Sequence, residues 1–204
     1  MNLAKILPMA FVMIAGPQIL SAIFLATSEG WRRNSIAYIS GAALSITAII
    51  SASYFFINGI SDGGSSSDTV DVVVLVLLVL AGIHTYVKRA ESQPPKWMGK
   101  LQSADAKFSF RLGFLLLGVF PTDILTSVAV GQYLANHDAP WWHCGAFVAV
   151  TLFLLAIPLL GLLAFGERAQ AAMPKARDWM NNNSWVVSEI VIGLFIALTI
   201  SDLV

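Results

Sequence analysis

Two short stretches decide how this chain folds: IAGPQILS at residues 14–21 and GVFPTDIL at residues 118–125. Each interrupts an apolar run long enough to cross a bilayer, a crossing that takes roughly 20 residues. The first run extends from Leu3 to Ala26 and the second from Phe108 to Tyr133. Because a proline inside a helix lacks an N–H donor and frees a carbonyl of the preceding turn, we expect both helices to be broken there.

The composition places the chain in a membrane. Its 204 residues are 57% hydrophobic and 12% charged, and the apolar residues occur in long blocks rather than in amphipathic stripes. We therefore predict an all-α integral membrane protein with six transmembrane helices, of which the first and fourth are broken at proline. The other four spans are predicted at Ile36–Ile60, Val70–Val87, Trp141–Phe165 and Trp185–Val204.

The distribution of basic residues predicts the orientation. Of the 12 Lys and Arg residues, all but Lys5 lie in or beside the first, third and fifth loops. Basic residues favour the cytoplasmic face, so these loops are predicted inside and both termini outside a prokaryotic cytoplasmic membrane. Since topology accounts for the basic residues, they give no support for nucleic-acid binding.

The chain divides at one hydrophilic stretch. Residues 88–107 contain Pro94-Pro95 and are predicted to form a cytoplasmic linker with three spans on each side. We predict one domain, 1–204, built from a first repeat at about 1–87 and a second at about 108–204. With three spans in each half, the second half enters the membrane from the opposite side, so the two repeats have inverted topology.

Asp123 is the main candidate for function. A carboxylate inside a membrane span is costly, and such groups mark ion or proton pathways. The alternative is that its carboxylate caps the half-helix that restarts after Pro121. Broken helices in corresponding halves point to a transporter's binding site. The residues predicted to line the substrate and coupling path are therefore Gly16, Pro17, Gln18, Pro121, Thr122 and Asp123.

The remaining polar candidates have structural alternatives. Gln18 occupies the place in the first half that Asp123 occupies in the second, and it either lines an aqueous cavity or bonds a neighbouring helix. Glu189, at the start of the last span, is a weaker candidate because a carboxylate there also stabilises the helix N-terminus. His84, at the end of the third span, is the other weaker candidate.

The sequence contains no sign of an enzyme, a metal site or a cofactor. It has no nucleophile elbow, phosphate loop or zinc-protease pattern. The histidines lack ligand spacing, since His143 and Cys144 are adjacent and point to different helix faces. Cys144 is the single cysteine, which excludes an internal disulfide. We expect no catalytic residue, no bound metal and no cofactor.

Several short motifs carry a family resemblance. They are Ala15–Leu20, Ser28–Arg33 with Gly41, Pro95-Lys96-Trp97, Leu112-Gly113-Phe114, Gly166-Glu167-Arg168 and Trp179–Asn183 with Gly193. The first of them resemble the opening of the lysine-exporter superfamily. Together they resemble its GAP family, which includes the mycobacterial sulfolipid- and peptidoglycolipid-addressing proteins. Where those relatives tend to have Asn-Pro-Lys-Asn in the fourth helix, this chain has Phe-Pro-Thr-Asp at residues 120–123.

The resemblance implies an exporter that works by alternating access. Its implied cargo is a lipid, a glycolipid or another amphipathic small molecule, and Asp123 is the candidate for proton coupling. The wider superfamily implies amino acids or metal ions instead. A third interpretation is a non-transporting accessory protein of a lipid export machine. The partners expected from these alternatives are membrane lipids, the cargo, and a second copy of the chain or a larger export complex.

Overall fold

The computed structural model describes residues 9–14, 16–62, 101 and 103–182. The predicted spans Val70–Val87 and Trp185–Val204, most of the linker 88–107, and the candidates His84 and Glu189 lie outside these residues. All regular structure within them is helical. The helices are α1 Met9–Ile14, α2 Pro17–Ala26, α3 Trp31–Asp62, α4 Ala106–Val119, α5 Pro121–Asn136, a 3-10 turn Trp141–His143, α6 Cys144–Phe165 and α7 Glu167–Asn182.

Two of these helices begin at a proline. Pro17 is the first residue of α2 and Pro121 the first residue of α5, a position where the missing N–H has no intrahelical acceptor in any case. Gly16 precedes α2 with a φ of 110°, a conformation that favours glycine. Phe120 joins α4 to α5 in an extended conformation, and the two helices are bent by 68°.

The apolar helices give the described part of the chain the character of a membrane protein. By length and composition, α3 and α6 can each cross a membrane, and the bent pair α4 and α5 raises the number to three if it counts as one span. The segment Trp141–Phe165 has the bounds predicted for the fifth span. The six-span inverted repeat and the orientation of the termini stay predictions.

The central helix is α3, which packs against α2, α4, α5 and α6. Its closest contact is with α4. A Cβ atom at Gly41 would collide with the carbonyl oxygen of Phe110, and one at Gly113 with the carbonyl oxygen of Tyr38. Small residues let membrane helices approach until their backbones touch. We call this contact, made by Gly41, Phe110, Gly113 and Tyr38, the glycine seam.

Two segments predicted as loops are helical. Arg32 and Arg33 lie in the first turn of α3, and the guanidinium of Arg32 stands 4.9 Å from the ring centre of Trp31. The predicted fifth loop contains α7, which begins directly after Gly166 ends α6 with a φ of 52°. Its sequence is polar but rich in Ala, Arg, Lys and Met, which are strong helix formers. Polarity predicted that this segment lies between spans but did not predict its helical structure.

Candidate functional site

Gln18 and Asp123 meet at the starts of α2 and α5. The Nε2 atom of Gln18 donates a hydrogen bond to Oδ2 of Asp123 over 2.6 Å, joining residues that lie 105 positions apart. The two side chains are 1% and 0% exposed. We call this pair the amide–carboxyl junction.

The prolines set where both side chains of the junction stand. Gln18 follows Pro17 directly, and Asp123 is the third residue of α5, so each side chain projects from the first turn of its helix. The N–H of Asp123 donates to the carbonyl of Phe120 over 3.0 Å. Because proline fixes the first residue of each helix, it also fixes the rotation at which the following polar residue points.

Two neighbouring hydroxyl groups support α2 at the junction. The hydroxyl of Tyr38, on α3, donates to the carbonyl oxygen of Gln18 over 2.9 Å. The hydroxyl of Ser21 donates to the carbonyl of Pro17 over 2.6 Å. Both side chains are fully buried. They satisfy backbone acceptors in the first turn of α2, so the helix start is held in place inside the protein.

Three buried oxygens around the junction have no hydrogen-bond partner within the described ranges. They are Oε1 of Gln18, Oδ1 of Asp123 and Oγ of Ser127. Ser127 lies one turn after Asp123 on α5 and therefore shares its helix face. A buried polar atom left unpaired costs about 1–3 kcal/mol. Buried polar atoms without a partner are uncommon in proteins, so this group of atoms marks the junction as a candidate site.

No buried basic side chain accompanies the carboxylate of Asp123 in the part of the chain that the structure describes. α1, α2 and α5 contain no Lys or Arg. The basic side chains described on α3, α4 and α7 are exposed, and they are Arg32, Arg33, Lys107, Arg111, Arg168 and Lys175. An unpaired buried charge is costly, so Asp123 needs a counter-ion or a proton.

The other predicted site residues take different places. Gly16 lies beside the junction, where an added Cβ would stand 3.4 Å from Oε1 of Gln18. Thr122 is exposed, although it is adjacent to Asp123 in sequence. The carboxylate of Asp123 bonds Gln18, and the start of α5 has no side-chain cap bond from its N-cap residue Phe120. The hydrogen bonds therefore do not support the capping interpretation.

The described residues contain no group of three or more His, Cys, Asp or Glu side chains that could hold a metal ion. The ring Nδ1 of His137 lies 2.8 Å from the carbonyl of Tyr133. His143 and the buried Cys144 lie side by side at the start of α6. These residues therefore offer no assembled ligand set.

Sequence reasoning missed Tyr38 and Ser127. Ser127 was detectable, because a serine four residues after Asp123 faces the same side of a helix. Tyr38 gave no such signal, since its contact with Gln18 depends on how α3 crosses α2.

An open apolar groove runs along α4 to the bend before α5. It has a volume of about 520 Å³. Arg111 is its one charged lining residue. Phe120, at the bend, lies at one end of the groove. The groove is lined by Phe108, Arg111, Leu112, Leu115, Leu116, Val119 and Phe120. This shape and polarity suit an acyl chain better than a hydrophilic solute.

These observations define a class: a helical membrane protein with a buried polar junction between two helices that start at proline. The chain belongs to the family described as Sap, sulfolipid-1-addressing protein, whose family model matches residues 6–202. This match confirms the resemblance to lipid-addressing proteins. Searches of curated proteins and of solved structures gave no match. Membership of the wider lysine-exporter superfamily stays a prediction.

Proposed function

We propose that this protein translocates an amphipathic lipid or glycolipid across a prokaryotic cytoplasmic membrane by alternating access, with a proton as the coupling ion. The observation that carries the proposal is the buried hydrogen bond between Gln18 and Asp123. A carboxylate buried among apolar helices is costly and is typical of an ion or substrate pathway. In this proposal the protein has six helices in two inverted repeats and catalyses no reaction.

The groove on α4 favours lipid as the cargo. Its lining is apolar apart from Arg111, whose guanidinium suits an anionic headgroup, and it ends at Phe120, three residues before Asp123. A lipid whose acyl chain lies in this groove would bring its polar part close to the bend. The family description, which names a sulfolipid, agrees with this choice of cargo.

A translocation assay tests the proposal. The purified protein is placed in vesicles with a fluorescent anionic glycolipid, and an impermeant quencher reports how much lipid changes leaflet with and without a pH gradient. We expect the protein to accelerate translocation, Asp123→Asn to abolish it, and Thr126→Val, on the same helix, to retain it. Full pH-dependent translocation by Asp123→Asn contradicts the coupling role. No translocation by the unaltered protein contradicts transport and favours an accessory role.

The groove has its own matched pair of variants. Leu115 lines the groove and is 54% exposed, whereas Leu163 lies on α6 outside it and is 53% exposed. Tryptophan at position 115 would displace about two methylene groups of an acyl chain, which costs roughly 1.6 kcal/mol and slows translocation about tenfold. We expect Leu115→Trp to be slow and Leu163→Trp to be normal. Equal rates would remove the groove from the path.

Orientation is tested by labelling introduced cysteines with an impermeant reagent in intact cells. Asn136 and Gln170 are exposed and lie on opposite sides in the proposed topology. We expect Asn136→Cys to be labelled and Gln170→Cys to be protected until the cells are opened. The native Cys144 is buried and contributes little background. The reverse labelling pattern would show that the topology is opposite to the proposed one.

A further inference from the structure

The hydrogen bonds of the amide–carboxyl junction reveal which protonation state fits the closed arrangement of α2 and α5. An ionised carboxylate has acceptors only, and an amide has one acceptor oxygen and one donor nitrogen. Nε2 of Gln18 donates a hydrogen bond to Oδ2 of Asp123. The oxygens that remain, Oε1 of Gln18 and Oδ1 of Asp123, are both buried and both without a partner in the described residues. Two acceptors cannot satisfy each other.

A single proton on Asp123 gives both unpaired oxygens a partner. A carboxyl group protonated at Oδ1 donates to Oε1 of Gln18, while Nε2 of Gln18 donates to Oδ2, so the two side chains form a closed pair with two hydrogen bonds. We propose that protonation of Asp123 closes a latch between α2 and α5, that Gln18 is its positioning residue, and that loss of the proton opens it. The latch is the coupling device of the proposed transport cycle, but it operates without cargo.

Among the described residues around the junction, Asp123 is the group whose protonation controls the bond between α2 and α5. α1 and α2 carry no titratable side chain, and α5 carries Asp123 and Tyr133. Tyr38 of α3 faces the junction and donates to the carbonyl of Gln18. On α6 the titratable side chain is the buried Cys144. The described charged side chains of α3, α4 and α7 are exposed.

Packing holds α5 more rigidly than the first turn of α2. α5 is fixed to α3, because a Cβ at Gly131 would stand 2.8 Å from the carbonyl oxygen of Ile50, and the hydroxyl of Ser53 donates to the carbonyl of Val128 over 3.1 Å. α2 contains no glycine and packs in the core through buried apolar side chains such as Ala22 and Leu25. Opening the latch therefore removes the bond between the first turn of α2 and α5, while α5 stays packed against α3.

Two measurements on the whole protein in lipid nanodiscs test the latch. Hydrogen exchange gives protection factors for residues 17–26, corrected for the pH dependence of intrinsic exchange, with residues 144–165 as the internal reference. Infrared difference spectra report the C=O stretch of a protonated carboxyl. We expect protection of α2 to fall by about tenfold or more as pH rises, while protection of α6 stays unchanged. A tenfold change corresponds to the loss of one buried hydrogen bond. The carboxyl band should disappear over the same pH range.

Variants assign these signals to the junction. Asp123→Asn places an amide opposite the Gln18 amide, and two amides form the same double hydrogen bond at any pH, so α2 should stay protected throughout and the carboxyl band should be missing. Gln18→Leu should leave α2 poorly protected at every pH. Thr126→Val should titrate like the unaltered protein.

Three results would each overturn the latch. They are pH-independent protection of α2 in the unaltered protein, a carboxyl band that survives Asp123→Asn, and protection that follows sodium concentration instead of pH. Because neither readout uses cargo, a protein that latches but moves no lipid would refute the proposed transport while leaving the latch intact. If the variants do not fold, the pH series on the unaltered protein still decides.

Discussion

The glycine seam and the amide–carboxyl junction both hold buried helices together, but they do so in opposite ways. At the seam, the backbones of α3 and α4 touch at Gly41 and Gly113, and no room remains for a single methyl group. At the junction, two polar side chains meet through one hydrogen bond while their other oxygens stay unpaired. Packing of the first kind resists any displacement, whereas contact of the second kind can be made and broken by one proton.

The comparison separates a body of helices fixed around α3 from the first turn of α2, which the junction holds. α3 is fixed to α4 by the seam, to α5 by Gly131, and to the segment before α6 by two side-chain bonds. The hydroxyl of Tyr54 donates to the carbonyl of Ala139 over 2.9 Å, and Nε1 of Trp141 donates to the hydroxyl of Ser51 over 2.9 Å. α2 packs on this body through buried apolar side chains such as Leu25, and its first turn is bonded to the body through polar groups. The junction is therefore placed where the first turn of α2 can change partners without a change at the glycine seam.

The largest effect is expected from adding a methyl group at the seam. Gly41→Ala and Gly113→Ala each put a Cβ against a backbone carbonyl that cannot turn aside, so each should lower the free energy of unfolding by about 3 kcal/mol or more. Gly59→Ala is the matched control on α3, because an added Cβ there meets nothing within 4 Å. Alanine is the better helix former, so this control should be about 1 kcal/mol more stable. Unfolding titrations in detergent measure both, and similar values for all three would disprove the seam.

A smaller effect is expected from apolar substitutions at the junction. Gln18→Leu removes the partner of a buried carboxyl, and Asp123→Leu removes the partner of a buried amide, so each should cost about 1–3 kcal/mol. The double variant removes both polar groups and should be close to the unaltered protein in stability, because neither group of the pair is left without its partner. It should nevertheless be inactive in translocation. Strictly additive losses in the double-mutant cycle would show that the two side chains do not interact.

The sequence predicted the junction better than the seam. Gly-Pro-Gln and Pro-Thr-Asp were both recognisable as polar interruptions of apolar runs, and proline places the next residues in the first turn of a helix. That local rule identified Gln18 and Asp123 as matching positions, and the structure brings them into contact. Their functional role stays a prediction.

The glycine seam could not be predicted from local sequence patterns. Gly41 and Gly113 were noticed only as parts of family motifs, and a glycine in an apolar helix is compatible with many environments. Which glycine faces which backbone depends on the crossing of α3 and α4, and a single sequence contains no information on that crossing. The same reason hides Tyr38, whose bond to Gln18 joins two helices.

The smallest expected effect comes from removing a single oxygen atom, either beside the junction or on the body of helices fixed around α3. Tyr38→Phe removes the hydroxyl that donates to the carbonyl of Gln18, and Tyr54→Phe removes the hydroxyl that donates to the carbonyl of Ala139. Each variant loses one hydrogen bond and should cost about 1 kcal/mol of unfolding free energy. Hydrogen exchange should distinguish them, because Tyr38 holds α2 whereas Tyr54 holds a turn on the fixed body. We expect lower protection of residues 17–26 in Tyr38→Phe and unchanged protection in Tyr54→Phe. Equal protection in both would mean that Tyr38 only fills space and that its hydroxyl does not hold the first turn of α2.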